Sequence, residues 1–150
     1  MGRENWRDVL DARLPLLGHR NWVVVLDAAF PAFTSAGIEV LVSGEKHQVV
    51  PADVAAAIRA APHVDAVPLL AEEVRWVDAP GARQALELAT GAKFMPHAEI
   101  LELLDAVAAL YRIFALKTTC TTPYTSVFFE LACGYWSDAE EAALQQRMGG

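Results

Sequence analysis

The chain has 150 residues, with 12 Lys and Arg against 19 Asp and Glu, so it carries a net charge of −7 and no basic cluster. That excludes nucleic acid as a partner, because its binding depends on neutralised phosphates. The chain is 54% hydrophobic, yet no run approaches the ~20 apolar residues of a membrane span. The surplus suits a sheet covered on both faces, within a single domain over residues 1–150. In chain order, Trp6, Val9, Leu10, Arg13 and Leu14 recur at helical spacing until Pro15 stops them. Strands are predicted over 22–28 and 37–42, and a helix over 51–61 between Pro51 and Pro62. Residues 64–70 read as a strand that Pro68 places at a sheet edge or end. A helix over 82–90 closes at Gly91, and 92–95 forms a short strand. Pro96 opens the longest helix, with Ile100, Leu103, Leu104, Val107 and Leu110 as its apolar stripe. Strands over 111–117 and 127–133 follow, and Ser137 caps a last helix with Glu140 as the reciprocal partner.

Strands alternating with helices predict an α/β fold, a three-layer α/β/α sandwich around a mostly parallel sheet. The short step from Lys117 to Tyr124 reads as a hairpin, which makes the sheet mixed. Asp27 and Lys117 close two strands of that sheet and are expected on one rim, where ligands of such sheets bind. Cys120 and Cys133 have neither metal nor redox spacing and read as reduced thiols of a cytoplasmic protein, consistent with a polar start and no signal sequence.

Two polar corners stand out. One is Thr118-Thr119-Cys120-Thr121-Thr122-Pro123-Tyr124-Thr125-Ser126, where hydroxyls, a thiol and a phenol crowd between two apolar runs. Such a corner either docks a polar ligand or satisfies its hydroxyls on its own backbone. The other is Gly18-His19-Arg20-Asn21, leading into the apolar run that ends at Asp27-Ala28, with Pro31 beyond. Together they resemble the D-ribose pyranase and L-fucose mutarotase family: a Gly-His before a strand ending in Asp-Ala, then a strand, a basic residue and a (Ser/Thr)-Pro-Tyr turn. The resemblance spans most of the chain, although residues 41–92 match only in their alternation of elements.

The resemblance implies a cofactor-free isomerase of a small neutral monosaccharide. One group takes the anomeric proton while another protonates the ring oxygen, so the sugar ring opens and recloses. It assigns proton transfer to His19, Asp27 and Tyr124: an imidazole that works near neutral pH, a carboxylate that orients it or holds sugar hydroxyls, and a phenol directed at the ring oxygen. His97, at the start of the penultimate helix, is the second matching histidine, and Lys117 the strand-end cation. With Arg20 and Ser126, these are the expected substrate contacts. The competing reading of His19 is a turn histidine bonded to backbone, and of His97 an exposed first-turn residue. His47 and His63 read as surface residues. The family also implies a ring-shaped homo-oligomer with its site at a subunit boundary, where Trp22, Phe129, Tyr135 and Trp136 are candidate contacts. Phe30 and Phe33, with Trp22, Tyr135 and Trp136, are candidates to stack on a sugar ring.

The departures concern the substrate. The family continues Tyr-Ala-Asn where this chain has Tyr124-Thr125-Ser126, and Gly-Glu before the turn where it has Thr119-Cys120-Thr121. Gly134-Tyr135-Trp136 adds aromatic bulk after the last strand. Three further readings stand beside the isomerase: a non-catalytic sugar-binding module, a metal triad of His19, Asp27 and His97, and a thiol enzyme using Cys120 with either histidine.

Overall fold

A computed structural model describes residues 5–33, 35–46 and 48–149. His47, read from sequence as a surface residue, lies outside them, as does the polar start of the chain at residues 1–4. The elements follow as α1 (Trp6–Arg13), β1 (Trp22–Leu26), β2 (Ile38–Val42), α2 (Val50–Ala60), β3 (Val64–Ala71), α3 (Pro80–Leu88), β4 (Lys93–Met95), α4 (His97–Ala108), β5 (Ile113–Lys117), β6 (Val127–Cys133) and α5 (Asp138–Gly149). Two 3₁₀ turns, Leu14–Leu16 and Glu72–Trp76, complete the order.

The six strands form one sheet in the order β2-β5-β1-β6-β3-β4. Only β6 runs against its neighbours, so the sheet is mixed and mostly parallel. β1 is buried at all five positions because both faces of the sheet are covered. Its odd residues, Val23 and Val25, join Phe114, Leu116 and Phe129 under α1, α2 and α3. Its even residues, Trp22, Val24 and Leu26, join Ile113, Ala115 and Phe128 on the other face, beneath Ile100, Leu104 and Ala108 of α4. The layers are therefore unequal, three helices on one face and one on the other. Leu110, assigned to the α4 stripe from its spacing, lies past the helix end and is 79% exposed. α5 buries none of its residues, although its predicted capping box forms: the Ser137 and Glu140 side chains each accept the other residue's backbone N–H, at 3.0 and 3.1 Å.

The hairpin expected between β5 and β6 is absent. β1 lies between them, and residues 118–126 cross its carboxyl end. A tight hairpin uses about two to five loop residues, whereas bridging two strand spacings of ~4.8 Å needs a longer connection. The crossing is fastened where it passes over β1: the Thr118 N–H and hydroxyl both donate to the Leu26 carbonyl, at 2.9 and 2.8 Å, and the Ala28 N–H donates to the Cys120 carbonyl at 2.7 Å. Pro68 does mark an edge, because β4 pairs only with Leu69, Leu70 and Ala71 and leaves the first half of β3 without an outer neighbour. His63 is half-buried, contrary to its surface reading. Its Nε2 lies 2.9 and 3.0 Å from the Leu14 and Leu17 carbonyls at the 3₁₀ turn.

α1 is clamped to the β2–α2 connection through Glu45. The Glu45 carboxylate accepts from Arg7 at 3.0 Å and from the Trp6 indole at 2.6 Å, while Arg7 also reaches Asp53. The Arg7 hydrogen bond first, and the Trp6 bond second, hold the Glu45 carboxyl below its ordinary range. A carboxyl lowered in the folded state adds stability that is complete above its unfolded pKa and is lost as pH falls through its folded value. We expect Glu45→Gln to lower the melting temperature at neutral pH, with the difference from wild type shrinking between pH ~6 and ~3. Thermal melts across that range test this; a difference independent of pH would mean that the pair does not contribute through its charge.

Candidate active site

The carboxyl ends of β1 and β5 lie side by side, with Leu26 in register with Lys117. Asp27, one residue further, is half-buried and held by a residue 99 positions away: the Ser126 hydroxyl accepts the Asp27 N–H at 2.9 Å and donates to Asp27 Oδ1. Ser126 is itself 3% exposed, so its hydroxyl is committed to orienting Asp27 and is turned away from the surface. The Lys117 ammonium donates to the Ala28 carbonyl at 3.0 Å and to that of Phe30. It ties the segment after β1 down through two backbone carbonyl oxygens, and not through a carboxylate.

That tie sets Phe30, 4% exposed, against the start of α4. The His97 imidazole stands edge-on between two rings, 5.9 Å from Phe30 and 5.3 Å from Tyr124 by centroid, at interplanar angles of 79° and 80°. Tyr124 has φ of 61°, the left-handed region, which a bulky side chain occupies at a cost of roughly 1–3 kcal/mol. Buried Thr125, whose hydroxyl donates to the Thr122 carbonyl at 2.8 Å, holds the turn that imposes it. Strain of this kind persists where surrounding contacts over-determine it, and here it presents a phenol at 36% exposure beside an imidazole.

Much of the hydroxyl capacity of the Thr-rich corner is spent on backbone. Thr118 answers Leu26, Thr119 the Glu45 carbonyl at 3.2 Å, and Thr125 the Thr122 carbonyl. Cys120 is half-buried, its Sγ 3.4 Å from the Thr125 hydroxyl. Of the two readings of this corner, the self-satisfied one describes those threonines, while Tyr124 is left facing outward.

His19 and Arg20 lie at the other rim, ahead of the amino end of β1. The five residues of β1 at ~3.3 Å each separate them from Asp27 by roughly 16 Å. His19 is exposed and lines a cavity of about 220 Å³ with Cys133, Trp136, Asp138 and Glu141. Arg20, at φ of 79°, donates to the Tyr111 hydroxyl at 3.0 Å. Because β6 is antiparallel, Tyr135 and Trp136 also fall at this rim; both are exposed, at 74% and 40%. Trp22 and Phe129, expected at subunit contacts, are instead 3% and 5% exposed in the chain's own core. Among the described residues no three His, Cys, Asp or Glu side chains converge on a metal position, so the triad of His19, Asp27 and His97 does not form within one chain. No described helix is long and apolar enough to cross a membrane.

One contact was not foreseen. Glu73, from the 3₁₀ turn after β3, accepts the His97 N–H through both carboxylate oxygens, at 3.0 and 3.2 Å. The available signal was that a helix entered through Pro96 has no side-chain cap of its own and needs an acceptor from elsewhere.

The fold has counterparts among solved structures. Bacillus subtilis RbsD complexed with D-ribose superposes with a TM-score of 0.64 at 18% identity, covering 88% of this chain and 98% of that one. The chain has the fold of RbsD and FucU. FucU from Bifidobacterium longum matches at TM-score 0.56 and 16% identity over 83% of this chain and 94% of that one. The fucose mutarotase from Streptococcus pneumoniae, in complex with L-fucose, matches at 0.55 and 17% over 88% and 98%. No protein-family profile and no curated protein matches the sequence. Identities this low establish the RbsD fold alone, and the sequence corners that resemble the family fall at opposite ends of β1.

Proposed function

We propose that the protein is a monosaccharide mutarotase that interconverts anomers or ring forms of a small neutral reducing sugar by cofactor-free acid–base catalysis. The observation that carries this reading is the stacking of His97 against Phe30 and Tyr124 at the carboxyl rim of an RbsD fold, the rim where Ser126 also fixes Asp27. Related folds crystallised with D-ribose and L-fucose support a sugar as the ligand. In this reading the Asp27 carboxylate, fixed by Ser126, accepts the anomeric proton or holds the hydroxyl that carries it. The Tyr124 phenol donates toward the ring oxygen, and His97, backed by the buried Phe30, walls the ring. His19 and Arg20 serve a neighbouring copy, which makes the working unit a closed homo-oligomer with shared sites. Both cysteines are free thiols, in keeping with a reducing, cytoplasmic setting.

The test is exchange NMR on a panel of neutral and phosphorylated reducing monosaccharides, comparing anomer interconversion with and without protein. Acceleration for at least one neutral sugar is expected. Saturation-transfer binding without acceleration would instead support a sugar-binding module, and selective action on phosphorylated sugars would overturn the substrate class.

A further inference from the structure

α4 starts with a vacancy that another element fills. Pro96 occupies the capping position and offers no side-chain acceptor, while its carbonyl already receives the Glu99 and Ile100 N–H groups at 3.0 and 3.1 Å. The first N–H of the helix, that of His97, goes to the Glu73 carboxylate through both oxygens. An anion at a helix N-terminus is favoured by the exposed N–H groups and the helix dipole, and a charged acceptor strengthens the bond. Glu73 is well placed to hold that position. Its turn continues directly from the end of β3 that is paired on both sides, by β6 and β4, and its next residue, Val74, is wholly buried. Glu73 is therefore anchored to the core, and the start of α4 is anchored to Glu73.

The consequence falls on the imidazole. The His97 ring is held edge-on by Phe30 and Tyr124, and its backbone is held by Glu73. Removing the carboxylate leaves the first turn of α4 free to fray, since helix ends open first and this one has no other side-chain cap. The ring then leaves its slot beside the Tyr124 phenol. We propose that Glu73 is a positioning residue that sets His97 for its contact with the sugar; this rests on the mutarotase reading for its kinetic half only.

The experiment compares Glu73→Ala, Glu73→Gln, His97→Ala and the double variant Glu73→Ala/His97→Ala. A displacement of about 1 Å costs up to ~10²-fold, so Glu73→Ala is expected to lower kcat/KM by ~10–100-fold. Glu73→Gln keeps an oxygen that accepts the N–H, so it is expected to recover most of that loss. The double variant is expected to be no worse than His97→Ala, because Glu73 acts through that residue. The second readout needs no activity: the His97 ring protons, shifted by the two flanking aromatic rings, move toward unstructured values in Glu73→Ala and stay in place in Glu73→Gln. Unchanged ring shifts in Glu73→Ala would overturn the proposal, as would losses that simply multiply in the double variant. If Glu73→Ala fails to fold, Glu73→Asp takes its place; its shorter arm must displace the ring protons or the proposal falls. Absence of catalysis by wild type, with the ring shifts moving as expected, would remove the mutarotase reading and leave the positioning role standing.

Discussion

Replacing His19 by alanine is expected to remove ~10²–10⁴-fold of the anomer exchange rate, the usual worth of one acid–base group. The fold is expected to survive, because the turn does not depend on the imidazole. The Gly18 N–H donates to the Asn21 side chain at 2.8 Å and the Asn21 N–H returns to the Gly18 carbonyl at 3.0 Å. His19 itself is exposed and outside both core clusters. Exchange NMR on wild type and variant, with sedimentation to verify assembly, measures the effect without a coupled enzyme. Tyr124→Phe alongside it separates roles: a comparable loss makes the phenol the acid, a smaller one makes it an orienting group. Full activity in a correctly assembled His19→Ala would return His19 to a structural turn residue.

The sequence carries the elements more readily than their neighbours. The apolar runs over 22–26 and 113–116 declare strands buried on both faces, and the helices bounded by Pro51 and Pro96, with the Ser137–Glu140 box, lie where their local chemistry puts them. Which strand sits beside which is a long-range property. β5 and β6 look like a hairpin because they are consecutive, but β1 separates them, and only the assembled sheet shows that residues 118–126 must span it. The same limit applies to the site. Asp27 and Lys117 on one rim follow from parallel strands of equal length, whereas Ser126 on Asp27 and Glu73 on His97 are pairings across 99 and 24 positions with no local pattern. The 3₁₀ turn that carries Glu73 is five residues long, too short to show a helical stripe. Residue types alone leave the hydroxyls of the Thr-rich corner either docking or self-satisfied, and their carbonyl partners decide this.

Asp27→Asn is expected to cost as much as the loss of His19, ~10²–10⁴-fold, while keeping the rim intact. The asparagine carbonyl oxygen can still accept the Ser126 hydroxyl, and the backbone N–H that donates to Ser126 is unchanged. What disappears is the charge and the ability to take a proton. The two losses differ in where they fall, and that makes them informative together. His19 and Asp27 flank opposite ends of β1, so no single chain brings them to one sugar. A site that needs both must take Asp27 from one copy and His19 from another. Mixing His19→Ala with Asp27→Asn then leaves about one boundary in four with both residues intact in a symmetric assembly. The mixture is expected to regain about a quarter of wild-type exchange activity, when each variant alone has almost none. Native mass spectrometry establishes that the two variants have exchanged subunits before the rate is measured. Full activity in His19→Ala alone would break the shared site and confine the chemistry to Asp27, His97 and Tyr124 of one chain, with Asp27 as the base and Tyr124 as the acid. Mixed assemblies that stay inactive, with each variant also inactive alone, would equally overturn the pairing of Asp27 from one copy with His19 from the next.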